Sequence, residues 1–142
     1  MTPDARQVTE MVALRLSGGH RQETVVRFPS HRQAQEAVLQ LDGRRFSDLY
    51  LYRHPRNTDA ETFLGICGGA GRYFVGISDH AERIGQLINA EDPSGAEESI
   101  LVGGEPTSLP RRFLVDLQTA MTAATHYLVT AQAAPALSWD WG

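Results

Sequence analysis

The sequence predicts an α+β domain: a curved antiparallel sheet, largely a meander, packed with two main helices. Three observations predict it. Two apolar runs, Thr62 to Cys67 and Arg72 to Ser78, flank Gly68-Gly69-Ala70-Gly71, the pattern of a β-hairpin whose turn needs positive φ. Other segments alternate apolar and polar residues with period two, as half-buried strands do. Two stretches, 30–41 and 108–130, instead repeat apolar residues every three or four positions, as helices covering a sheet do.

The elements follow in order. Met1 to Gln7 reads as a loose lead-in. Val8 to Leu16 alternates as a strand, Ser17-Gly18-Gly19-His20 turns it, and Glu23 to Phe28 returns. Ser30 and Gln33 fit a capping box, and Ala34, Ala37, Val38 and Leu41 share one face of the helix behind it. Asp42-Gly43 stops that helix. Phe46 to Arg53 is a strand with Leu49 and Leu51 on one side and Tyr50 and Tyr52 on the other, and His54 to Asn57 is a loop. In the central hairpin, Leu64 and Ile66 share a face, as do Tyr73, Val75 and Ile77. Phe63, Cys67 and Phe74 make the opposite faces apolar too, which places the pair in mid-sheet.

Asp79 to Arg83 reads as a polar connection, Ile84 to Asn89 as a short strand, and Asp92-Pro93-Ser94-Gly95 as a type I turn. Glu98 to Val102 is expected to return as the partner of Ile84 to Asn89, making a meander of about five strands. Ser108-Leu109-Pro110 reads as the start of the second helix, with Ser108 as cap and the proline in the first turn. Phe113, Leu114, Leu117, Met121, Ala124 and Leu128 form its stripe, and Ala133 to Pro135 closes the region. Leu137, Trp139 and Trp141 then alternate onto one surface as a last strand. No composition shift divides residues 1–142, so one domain is expected.

Composition narrows the function. The chain has 142 residues, 42% hydrophobic and 21% charged, which is ordinary for a globular domain. No apolar run approaches the roughly 20 residues that span a bilayer. The first residues lack a signal-peptide layout, so the expectation is a cytoplasmic protein with no membrane partner. The lone cysteine, Cys67, lies within an expected strand and reads as a small buried hydrophobe. Net charge is −4, all thirteen basic residues are arginine, and the acidity argues against direct nucleic-acid binding. Within residues 79–105, Asp79, Glu82, Glu91, Asp92, Glu97, Glu98 and Glu105 stand against Arg83 alone. Such a block is either a solvated rim or a patch that docks and steers a basic partner.

No motif announces catalysis, a cofactor or a metal. His20, His31, His54, His80 and His126 lie in separate segments without ligand spacing. Ser78-Asp79-His80 holds the right residue types for a nucleophilic relay, but neighbours at a strand end point apart. Gly69-Ala70-Gly71 opens a dinucleotide pattern that Phe74 breaks, and a strand follows where a helix is required. Glu97 and Glu98, adjacent on a strand, face opposite sides.

The C-terminal half is more distinctive. Gly71-Arg72-Tyr73-Phe74-Val75 is followed by Gly85-Gln86-Leu87, an acidic hairpin, Leu109-Pro110, an alanine-rich amphipathic helix and Pro135-Ala136-Leu137-Ser138-Trp139. This layout, over about residues 45–141, resembles the Imm1 family of immunity proteins from bacterial polymorphic toxin systems. Ala133-Ala134-Pro135 stands where the family's tail often carries a glycine-proline pair. The resemblance implies a cytoplasmic, non-enzymatic antidote. Its partner would be a cognate toxin domain with a basic surface, often a nucleic-acid deaminase, met by the acidic residues of 79–105. A secretion adaptor and a small-ligand-binding domain are the alternatives that the residues leave open.

Overall fold

A computed structural model of the chain describes residues 7–54, 62–78, 83–92 and 95–142. The α+β expectation holds: most of the ten strands share one open antiparallel sheet, and two α-helices pack on it. β1 (Glu10–Ser17) and β2 (His20–Arg27) form the opening hairpin. α1 (His31–Gln40) starts at the expected capping box. There the Ser30 hydroxyl accepts from the Gln33 N–H at 3.1 Å, and the Gln33 side chain accepts from the Ser30 N–H at 2.9 Å. β3 (Phe46–Tyr52), β4 (Phe63–Gly69), β5 (Arg72–Ser78) and β6 (Ile84–Leu87) run as a meander.

β7 (Glu97–Val102) and β8 (Glu105–Pro110) pair with each other in a separate two-stranded sheet. A 3-10 turn at Arg111–Phe113 leads into β9 (Leu114–Val115), which pairs with β5. α2 (Leu117–Thr130) and β10 (Trp139–Trp141) complete the chain. The main sheet has the order β10-β6-β5-β4-β3-β1-β2.

Three expectations change. The strand at Glu97–Val102 does not pair with the one at Ile84–Leu87. β6 already has β5 on one edge and β10 on the other, so β7 takes β8 instead. Ser108-Leu109-Pro110 is the end of that strand and not a helix start. β8 pairs with β7 alone, so a missing proline N–H costs nothing on its open side. The helix begins at Leu117 behind Asp116, whose Oδ1 accepts the Thr119 N–H at 2.8 Å. Phe113 and Leu114 are buried, but in the turn and in β9. The meander, finally, is extended by β1–β2 beside β3 and by β10 beside β6. The loop at 55–57, Pro93 and Ser94 of the expected turn, and residues 79–82 of the polar connection lie outside the described residues, as do residues 1–6 of the lead-in.

Both helices cover one face of the sheet. Leu49, Leu51, Leu64, Ile66, Tyr73, Val75 and Ile77 point there and are buried with Ala34 and Val38 of α1 and Ala120, Ala123, Ala124, Tyr127 and Leu128 of α2. Three alanines on the inner side of α2 let it approach the sheet closely. At the far end of β4, Gly69 bridges to Asp42 at φ +151°, and a Cβ there would run into the backbone of Asp42 and Gly43. That contact needs glycine.

Candidate functional site

Among the described residues the other face of the sheet carries no helix, and period-two alternation decides what it shows. Strand register sets its side chains in rows across the strands. One row reads Arg27, Glu10, Tyr52, Phe63, Ser78 and Ile84. The next reads Val25, Val12, Tyr50, Gly65, Gly76 and Gln86, and a third reads Glu23, Leu14, Asp48, Cys67 and Phe74. Tyr50, Tyr52 and Phe63 form one aromatic group. Phe63 meets Tyr50 edge-on at 5.9 Å and Tyr52 at 5.8 Å, and the two tyrosines lie 6.3 Å apart. All three rings are half-buried, Ile84 beyond them is 57% exposed, and Gly65 and Gly76 place no side chain between the rows. The result is an apolar, aromatic strip in which the Tyr50 and Phe63 rings lie over Gly65 and the Phe74 ring beside Gly76.

The third row passes under the β7–β8 hairpin. Asp48 has 0% exposure, yet four donors converge on its carboxylate. Oδ1 accepts from the Ser47 hydroxyl at 2.7 Å. Oδ2 accepts from the Tyr50 hydroxyl at 2.6 Å, the Cys67 thiol at 3.1 Å and the Gly103 N–H at 2.8 Å. Gly103 is the hairpin's turn, and its carbonyl accepts from the Arg21 guanidinium of β2 at 2.5 Å. A buried carboxylate is tolerated when its oxygens are satisfied in this way. Burial, with the Asp48 charge second, pushes the Cys67 thiol pKa far up, so it is no nucleophile in the fold. Burial likewise raises the Tyr50 hydroxyl, helped by Cys67 and Asp48. The network anchors the hairpin to the sheet.

The acidic residues divide. Asp79 and Glu82 lie outside the described residues. Glu91, Asp92, Glu97 and Glu98 come together at the base of the hairpin, where β7 begins and Arg111 follows β8. Glu98 meets Arg72 at 2.6 Å and Arg111 at 3.8 Å, while Asp92 meets Arg111 at 3.4 Å. Glu97 accepts from the Ser108 hydroxyl at 2.7 Å and is exposed, as is Glu91. Glu105 is exposed at the opposite end of the hairpin, about 17 Å away by strand rise. Two arginines from outside residues 79–105 thus temper the local excess of charge. A linear window could not find them, because Arg72 meets Glu98 from the main sheet, across from the separate β7–β8 sheet, and Arg111 follows β8.

A second concavity lies on the helix side. Arg53, Ile77, Arg83, Gln132, Trp139 and Trp141 are among the residues lining a cleft of about 740 Å³. Trp139 and Trp141 stack at 5.9 Å, the Trp139 indole N–H donates to the Ala134 carbonyl at 2.9 Å, and the Arg83 guanidinium lies 3.9 Å over the Trp141 ring. Both tryptophans are half-buried against the core. Of the Ser78-Asp79-His80 triplet, Asp79 and His80 lie outside the described residues. Among the described residues no three His, Cys, Asp or Glu side chains converge as metal ligands, and no helix is long and apolar enough to cross a membrane.

No protein-family model matches the chain, and no curated protein matches it.

Proposed function

We propose that the chain is an immunity protein of the Imm1 kind, which binds a cognate bacterial toxin and neutralises it by occluding its active or substrate-binding site. The observation that carries this reading is the aromatic strip of Tyr50, Tyr52, Phe63 and Ile84 on the helix-free face of a sheet that also carries the acidic hairpin. Half-buried aromatics are the side chains that anchor protein interfaces, because they bury much area for little lost freedom. Exposed carboxylates at Glu91, Glu97 and Glu105 supply the charge that steers a basic partner and matches a cleft built for nucleic acid. The sequence layout at 71–78 and 109–139 supports the same family. A deaminase acting on nucleic acid is the toxin class this implies, and an interface of about 1,600 Å² is the expected size.

Co-expression with the product encoded immediately upstream, which the proposal expects to end in a toxin domain, tests the proposal. Restored growth together with a stable one-to-one complex is the expected result. A complex without rescue makes the chain a secretion adaptor, and neither rescue nor complex removes the proposal.

A second reading, a small-ligand-binding domain, is favoured by the cleft that Arg53, Arg83 and the stacked tryptophans line. Thermal shifts of several degrees with metabolites, abolished by Arg83→Ala, are the outcome that would prefer it.

A further inference from the structure

The β7–β8 hairpin covers part of the sheet without joining the core. Its strands pair with each other and not with the main sheet, and every residue of 97–110 is exposed or half-buried. Beneath it the sheet is well covered. Leu14, Asp48 and Cys67 lie on the face opposite the helices, yet their exposures are 7%, 0% and 4%. The Gly103 N–H that bonds Asp48 also reaches the Cys67 sulfur, so the hairpin's turn sits over the thiol.

Polar links pin the hairpin at its two ends. At the tip, the Gly103 N–H donates to Asp48 and the Gly103 carbonyl accepts from Arg21. At the base, Glu98 meets Arg72 and Arg111, and the Arg111 N–H donates to the Ala96 carbonyl. Packing beside the tip is incomplete: Val12, Leu14, Arg21, Glu23, Tyr50 and Gly103 line a cleft of about 450 Å³. Past the base, Phe113 and Leu114 are buried and β9 pairs with β5, so the root is held in the fold. Segments with few buried apolar contacts open at lower free energy than the core does.

We propose that the β7–β8 hairpin is a strap that lifts off the sheet as one unit, with Asp48 as its latch, while the core stays folded. Lifting breaks the two Gly103 bonds and the Glu98–Arg72 pair, and leaves the contacts between helices and sheet in place. It bares Leu14, the Asp48 carboxylate and the Cys67 thiol beside Tyr50, which widens the aromatic strip by a row. A partner that needs this row meets it only in the open state, so the latch sets its apparent affinity. The inference is independent of the proposed function and needs no toxin.

Cys67 is the sole cysteine of the chain, so its thiol reports the opening. Labelling with the disulfide reagent DTNB is followed in urea below the unfolding transition, where opening and closing outpace the reaction. A local opening exposes little surface, so the rate should be nearly flat at low urea and steepen only near global unfolding. At low urea it should exceed the rate that global unfolding allows by roughly tenfold or more. The Gly103 amide should exchange with the same opening constant. Arg21→Ala should raise low-urea labelling about fivefold, the effect of one hydrogen bond, without steepening it. Val38→Ala, in α1 on the far side of the sheet, should lower the urea midpoint and leave that labelling unchanged. Labelling that tracks global unfolding from the lowest urea overturns the proposal. So does labelling indifferent to Arg21→Ala, or accelerated by Val38→Ala as much as unfolding is. Should Val38→Ala fail to fold, the urea dependence of the wild type decides alone.

Discussion

Asp48 shows how much one side chain can hold. Its carboxylate ties Ser47, Tyr50 and Cys67 of the sheet to Gly103 of the hairpin. Asp48→Ala would leave four donors, those of Ser47 and Cys67 buried and those of Tyr50 and Gly103 half-buried, without that acceptor, at a cost of about 3 kcal/mol in urea unfolding, with the Gly103 amide losing its exchange protection. Tyr50→Phe removes one donor and should cost only about 1 kcal/mol. Cys67 carries a pH signature. Its folded pKa is raised, by burial first and by Asp48 second, above the ordinary 9.0. Above about pH 9 the unfolded chain gives up this proton and the folded chain keeps it, so stability is intact below that pH and falls as pH rises further. Alkaline unfolding that starts equally early in Cys67→Ser and wild type would contradict this. The sequence placed Cys67 in a buried strand, because its neighbours alternate in an apolar run. It said nothing of Asp48 as an anchor, since the Gly103 partner lies 55 positions away and no local pattern encodes such a contact.

Elements were most legible where one local device decides them. The Ser30–Gln33 capping box and the glycine-dense turns announced α1 and both large hairpins from a few residues. Ser108-Leu109-Pro110 misled because serine-then-proline is as fit for a strand's end on an open edge as for a helix start. Asp116 is the true cap, and the Thr119 side-chain and backbone bonds hold its carboxyl below the ordinary carboxylate value. Asp116→Ala should cost about 1 kcal/mol. With the folded pKa lowered, the contribution is present above about pH 4 and disappears as pH falls through the folded value. A wild-type and Asp116→Ala pair whose stabilities fail to converge in acid would refute the assignment. For the hairpin, Glu91→Lys/Glu97→Lys/Glu105→Lys spares the Arg72 and Arg111 ion pairs. It should slow association with a basic toxin at least tenfold at low salt, with little change in thermal stability. An unaltered on-rate would take these carboxylates out of the contact.

Across the whole molecule, the α+β class and the covered helix side followed from periodicity, while the layout of the second sheet did not. Periodicity tells which face of a strand is buried, but not which strand lies beside it. β6 illustrates this, because its outer neighbour is β10, contributed by Trp139–Trp141 after the hairpin and α2 have intervened. That pairing has a kinetic consequence. During synthesis the β6 edge has no covering strand until residues 139–141 have left the ribosome, since Leu87 waits for Trp139 and Gly85 for Trp141. Long-range pairings of this sort form slowly, and a nascent chain with an open strand edge is a target for its neighbours on a crowded polysome.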